Sequence, residues 1–163
     1  IDLSMKIADT DNLKEAPGNI EKTDEEISLK GMRALLAEDN DINVEIITYL
    51  LDEAGLLTER AADGAQCLEM LEKAEDGYYD FILMDILMPN MNGYESTRAI
   101  RKLENKSKSR IPIIAMTANA FDEDKRQALE AGMDDHVAKP VDVKKLFKSI
   151  EAVLSKRKRS LQL

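Results

Sequence analysis

With 163 residues, 44% hydrophobic and 34% charged, the chain is long enough for one domain with its own core and has the balance of an ordinary soluble fold. A net charge of -9, no tryptophan and 4% aromatic residues exclude a general nucleic-acid binder, which works by neutralising phosphates and stacking bases. A single cysteine, Cys67, excludes an internal disulfide and fits a reducing compartment; no apolar run approaches the ~20 residues of a membrane span, and the start IDLSMKIADTDN lacks the parts of a signal peptide.

Residues 1–29 hold eight acidic and three basic residues, Pro17 and Gly18, with no sustained period. They read as a linker or tail with a short helix near Thr23–Ile27. From 30 to 155 the pattern alternates. Met32–Ala37 is a short apolar run. Ile42–Ala54 has helical spacing and stops at Gly55, with Ile46, Ile47, Leu50 and Ala54 as the expected core stripe. Leu56–Ala61 is a weaker strand, Asp63-Gly64 a turn, and Ala65–Ala74 a helix. Phe81–Met84 is a continuous apolar strand. Tyr94–Leu103 is helical and Glu104–Arg110 a polar loop. Ile111–Met116 is a strand, Phe121–Ala131 a helix stopped by Gly132, Asp135–Ala138 a short strand, and Val141–Leu154 the last helix. The basic cluster Lys156–Arg159 and Ser160–Leu163 read as a frayed charged end or a cut in a longer chain.

Strand then helix, five times over, with strands that are unbroken apolar runs, indicates a parallel sheet covered on both faces. Right-handed crossovers make it an open doubly wound α/β sheet whose ligand site lies at the carboxyl ends of the strands. Those ends carry Glu38-Asp39, Asp85, Thr117-Ala118 and Lys139-Pro140. Three carboxylates on one edge repel one another, and a hard divalent cation such as Mg²⁺ relieves the repulsion. With the cation in place, one carboxylate can attack a phosphoryl group while a lysine and a hydroxyl hold its oxygens. Each residue also has a plain structural reading: Asp39 as a helix cap, Asp85 as a turn residue, Thr117 as a strand-end hydroxyl, Lys139 as a solvated charge.

The segments LLAEDNDIN (35–43), FILMDILMPNMNG (81–93), PIIAMTANAF (112–121) and GMDDHVAKP (132–140) resemble the response-regulator receiver domain of two-component signalling, most closely the receivers of hybrid sensor histidine kinases. The resemblance spans residues 30–155. It implies a flavodoxin-like fold with strand order 2-1-3-4-5. It implies that Asp85 takes a phosphoryl group from a phosphohistidine or a small phosphodonor, and that Asp39, Glu38, Asp85 and the Ile86 carbonyl hold Mg²⁺. Thr117, Ala118 and Lys139 would receive the phosphoryl oxygens, with a cis Lys139-Pro140 peptide. His136 stands where relatives carry Tyr or Phe and would be the switch residue coupled to Thr117; as a lone histidine it can equally be a half-buried strand residue. Leu87, two residues after Asp85, is apolar where many relatives are polar.

The implied partners are a histidine kinase or histidine phosphotransfer domain, docking near Ile42 and Tyr49 on the first helix, and a homodimer through the fourth helix, fifth strand and fifth helix. No nucleic acid and no membrane contact are expected. The location implied is cytoplasmic, on the cytoplasmic side of any membrane-anchored parent protein, with no catalytic activity beyond self-phosphorylation and dephosphorylation. The alternatives are a pseudo-receiver interaction module, disfavoured by the intact Glu38, Asp39, Asp85, Thr117 and Lys139, and a Mg²⁺-dependent phosphatase, which would carry a second aspartate where Leu87 stands.

Overall fold

In a computed structural model of the protein, residues 28–119 and 121–161 are described. The expected helix near Thr23–Ile27 lies outside them. Five parallel strands, β1 (Arg33–Ala37), β2 (Leu57–Ala61), β3 (Phe81–Asp85), β4 (Ile113–Thr117) and β5 (Asp135–Ala138), form one sheet in the order β2-β1-β3-β4-β5. The doubly wound order expected from the sequence is the one observed. Five helices alternate with them: α1 (Asp41–Glu53), α2 (Gly64–Lys73), α3 (Gly93–Arg101), α4 (Asp122–Ala131) and α5 (Val143–Leu161).

The period-2 geometry of the strands sorts the core into two layers. Leu35, Ala37, Ile82, Met84, Ile113 and Ala115 pack with Cys67, Leu71, Ile100 and Ala128 of α2, α3 and α4. Ala34, Leu36, Phe81, Leu83, Ile114 and Met116 pack with Ile47, Leu51, Leu146 and Ile150 of α1 and α5. Because both faces are covered, β3 and β4 are buried at every position and need no polar alternation.

Several local expectations are corrected. On α1 the core-facing stripe is Val44, Ile47, Leu51 and Ala54, while Ile46 is 51% exposed and Leu50 is only partly buried. Apolar residues at 42, 46, 47, 50 and 51 spread over half the helix circumference, wider than the buried stripe, so spacing alone does not say which part of that arc faces inward. Asp39 is not the cap of α1: Asn40 is, its side chain accepting the Asn43 N–H at 3.0 Å. Asp63-Gly64 is not a free turn but the cap and first residue of α2, with Asp63 accepting the Gln66 N–H. The polar loop 104–110 contains one helical turn, Lys106–Ser109, capped by Asn105. The last helix runs on through the basic cluster to Leu161.

Candidate functional site

The parallel register brings the strand ends to one level. Ala37 pairs with Ala61 and with Met84, Asp85 with Met116, and Thr117 with Ala138. Glu38 and Asp39 therefore leave the sheet beside Asp85, and Lys139 leaves β5 beside Thr117, its N–H donating to the Thr117 carbonyl at 2.7 Å. The Lys139-Pro140 peptide is cis.

Glu38, Asp39 and Asp85 present carboxylate oxygens that all lie within 4.8 Å of one another. Lys139 Nζ sits 3.0 Å from Glu38 Oε1 and 3.0 Å from Asp85 Oδ1. Glu38 is fully buried. Its Oε2 accepts the Asn40 N–H at 3.1 Å and the Asn43 side-chain amide at 3.3 Å, whereas Oε1 has the lysine's charge nearby but no aligned hydrogen bond. Asp39 is exposed, and its carboxylate has no hydrogen-bond partner among the described residues. Burial pushes the Asp85 carboxyl up to about 6, with Glu38 and Asp39 adding repulsion, against the Lys139 contact that opposes them. Burial alone would lower Lys139; its contacts with Asp85 and Glu38 outweigh that and hold it above the usual lysine range. Of three clustered carboxylates, two share one lysine and the third has no partner among the described residues, and one buried oxygen lacks an aligned donor. That donor set fits a hard divalent cation.

The Ile86 carbonyl accepts the Gly93 N–H at 2.9 Å, which leaves it a second lone pair toward the edge. Thr117 is buried, and its hydroxyl donates to the Asn119 carbonyl rather than toward Asp85. Ala118 is exposed and, with Thr117, Ile86, Leu87, Tyr94 and Asp124, borders a cavity of about 190 Å³ at the carboxyl edge of the sheet. Leu87 is 72% exposed at its mouth. His136 is half-buried on β5, its Nδ1 lying 3.8 Å from Asp135 Oδ1. Ile42 and Tyr49 are 66% and 62% exposed, and Ile46 joins them in an apolar strip along α1.

Two supports were missed in the sequence. Arg60 of β2 donates from Nε to the Glu38 carbonyl at 3.0 Å and from Nη2 to the Asp39 carbonyl at 3.1 Å, and it pairs with Asp41 at 3.0 Å. It continues the β1–β2 ladder where the strand ends, and a lone arginine in a weak strand gives no sequence signal for that. Asn92 and Glu95 form a capping box that starts α3 next to Asp85; NGYE carries that signature, which was legible as N-x-x-E.

A doubly wound sheet whose carboxyl edge gathers three carboxylates, a lysine and a hydroxyl defines a class of acidic, cation-ready phosphoryl-handling domain. The protein-family model for the response regulator receiver domain matches residues 34–151. Probable histidine kinase 2 of Oryza sativa subsp. indica is 36% identical over 143 residues, 81% of this chain and 14% of that protein. Hybrid signal transduction histidine kinase I of Dictyostelium discoideum is 42% identical over 126 residues, 76% of this chain and 7% of that protein. The chain thus spans a small part of the curated relatives it matches. Among solved structures, the receiver domain of a Pseudomonas aeruginosa sensor histidine kinase, with a magnesium ion coordinated in its active-site cleft, superposes with a TM-score of 0.68 at 40% identity, covering 76% of this chain and 98% of that one. The receiver domain of a Saccharomyces cerevisiae response regulator, crystallised with a histidine phosphotransfer signaling protein, gives 0.69 at 28% identity over 77% of this chain and 90% of that one. The chain belongs to the response-regulator receiver family of two-component signalling.

Proposed function

We propose that Asp85 is the phosphoacceptor of a Mg²⁺-dependent His-Asp relay, and that Asp39, Asp85, Glu38 and the Ile86 carbonyl hold the cation. The observation that carries this reading is one lysine 3.0 Å from two buried carboxylates, with a third, unpartnered carboxylate beside them. Bound there, Mg²⁺ would neutralise charge on the transferring phosphoryl group. Asp85 supplies the nucleophile. An oxygen–phosphorus bond forms on its carboxylate as the phosphorus–nitrogen bond of a phosphohistidine breaks, the electron pair returning to the imidazole. A carboxyl pushed up to about 6 is roughly nine-tenths ionised at pH 7 and a stronger base than an ordinary aspartate.

Lys139 shifts its contact to the new phosphoryl oxygens. Thr117 exchanges the Asn119 carbonyl for one of them, and Ala118 leaves room for the group. His136 then takes up the space that Thr117 vacates, which remodels the α4–β5–α5 face. Phe121, Leu129 and Val143 supply exposed apolar residues on that face for a homodimer. Ile42 and Tyr49, with Ile46, form the strip on which a histidine kinase or histidine phosphotransfer domain docks. We infer a cytoplasmic location within a hybrid histidine kinase, with 30–155 as the receiver unit, 1–29 as the segment leading into it and 156–163 as its basic end. Among the described residues no helix is long and apolar enough to cross a membrane.

Acetyl phosphate and Mg²⁺ should add one phosphoryl mass to the intact chain, and Asp85→Ala should remove the gain completely. No gain on a folded, Mg²⁺-binding protein would instead make the chain a pseudo-receiver. The lifetime of the phosphoform is set in part by Leu87, which cannot orient an attacking water. Leu87→Asn should shorten the half-life of the phosphorylated chain several-fold, read by mass over time. An equal or longer half-life in the variant rules this role out.

A further inference from the structure

At the end of the sheet opposite the acidic edge, a cavity of about 690 Å³ opens beneath β4. Five cationic side chains line it: Arg101 from α3, Lys106 and Arg110 from the helical turn and its cap, and Lys156 and Arg157 from α5. Asp134 is the one carboxylate among the lining residues, and it is already engaged. Its Oδ2 accepts from Arg101 Nη2 at 3.0 Å and from the Ile113 N–H at 2.8 Å. Arg101 is engaged too, donating to the carbonyls of Gly132, Ser109 and Ile111. Among the described residues, Arg157 makes only a 3.5 Å contact with the Ser107 carbonyl. Among the described residues, Lys106, Arg110 and Lys156 have no carboxylate within ion-pair distance. Burial, and after it the neighbouring Arg157 charge, lower the Arg101 pKa against the pull of Asp134. On a chain of net charge -9 this is a local excess of positive charge, and an anion relieves it.

The chain carries such an anion within reach. Glu21, Asp24, Glu25 and Glu26 lie three to eight residues ahead of Leu29. Leu29 packs against the α1/α5 core layer that includes Val153, and Val153 also lines the cavity. Leu29–Met32 lead into β1 at the amino ends of the strands, where Pro112 and Asp134 stand ahead of β4 and β5. Only β3 separates β1 from β4, so the two are about 10 Å apart at two ladder spacings. Three to eight extended residues span roughly 10–27 Å. A tether of that length holds the acids at a local concentration in the millimolar range, which a free anion would have to match.

We propose that the acidic stretch Glu21–Glu26 docks in cis into the basic cavity formed by Lys106, Arg110, Lys156 and Arg157. The segment leading into the domain is then held at the end away from Asp85, and the acceptor edge stays open to its donor. This rests on charge and reach at the far end of the sheet and is independent of the phosphoacceptor reading.

The test is hydrogen–deuterium exchange of the full chain, read over residues 20–28. The wild type should be protected several-fold relative to open chain. Arg110→Glu/Lys156→Glu, both at exposed positions, should lose that protection, and so should wild type in about 0.5 M NaCl, where the screening length is only a few ångströms. β3 and β4 amides, unchanged in the variant, verify the fold. Open-chain exchange in the wild type, or undiminished protection in the variant, overturns the proposal. In a second measurement, Asp24→Cys/Lys156→Cys should close an intramolecular disulfide on mild oxidation. Cys67 does not compete, since it is buried and its thiol is pushed up to about 12. A disulfide-linked dimer would assign the cavity to a second copy of the chain, and no disulfide at all would leave it without this occupant; either result overturns the proposal.

Discussion

Asp85→Asn should make the metal-free protein more stable at pH 7.5, not less, even though it removes a buried charged contact. The folded-state carboxyl is raised to about 6 from an ordinary 3.8, so the folded protein holds its proton more tightly than the unfolded chain does. Between those two values stability falls as pH rises, and above pH 6 the whole penalty is present. The two pKa values bound the penalty at about 3 kcal/mol, a figure already net of the attraction of Lys139, and relaxation at the open edge takes up part of it, so a gain on the order of 1–2 kcal/mol is expected. Thermal melts at pH 7.5 and pH 4 check this: the gain should be clear at the first and nearly absent at the second. Mg²⁺ should raise the melting temperature of the wild type, because ligand that binds only the folded form stabilises it, and should do little for the variant. A variant less stable than wild type at pH 7.5, or a gain independent of pH, would show that burial, with the repulsion of Glu38 and Asp39 behind it, does not raise Asp85.

Gly93→Ala should be the most damaging single-methyl change near the site. A Cβ there would run into the backbone carbonyl of Asp85 and come within 3.0 Å of the Ile86 Cα and of the Met84 side chain. Two of those three are main-chain atoms of β3 and the turn after it, so no side-chain rotation makes room. Either α3 moves outward or the Asp85–Ile86 peptide tilts. Overpacking against backbone costs about 3 kcal/mol, a fall of roughly 10 °C in a domain of this size. Because the displaced peptide carries both the Asp85 carboxylate and the Ile86 carbonyl, the Mg²⁺-induced rise in melting temperature should shrink as well. A variant that melts like wild type and keeps its full Mg²⁺ response would mean that the close approach of α3 to β3 is not needed.

What was readable in the sequence followed from strong, one-valued signals. Short apolar runs at 81–84 and 111–116, bounded by turn residues and too short for helices, read as strands buried on both faces, and their carboxyl ends then point at Asp85 and Thr117; β4 itself starts two residues later, at Ile113. Positions where two physical readings share one pattern were misread. On α1, an apolar arc wider than the buried stripe concealed that Ile46 faces out and Val44 faces in. In AEDN, two residues could cap the helix, and Asn40 rather than Asp39 does so, which frees the Asp39 carboxylate. Arg60 could not be found from its neighbours, because its partners are carbonyls 21 and 22 residues away and any sequence would offer them. Leu87 is apolar and follows the β3 run closely, yet its side chain is turned to solvent at the cavity mouth.

The Thr117 hydroxyl is occupied at rest by the Asn119 carbonyl. Recruiting it therefore exchanges one hydrogen bond for another, a difference of only about 1 kcal/mol for neutral partners, rather than filling an empty socket. On the proposed reading, a free anion drifting past the edge would gain almost nothing from that exchange, whereas a group fixed covalently at Asp85 would pull on the hydroxyl continuously with nearly two negative charges. The resting hydrogen bond would then act as a noise filter, setting a threshold that ambient phosphate does not cross and a phosphoryl group held on Asp85 does.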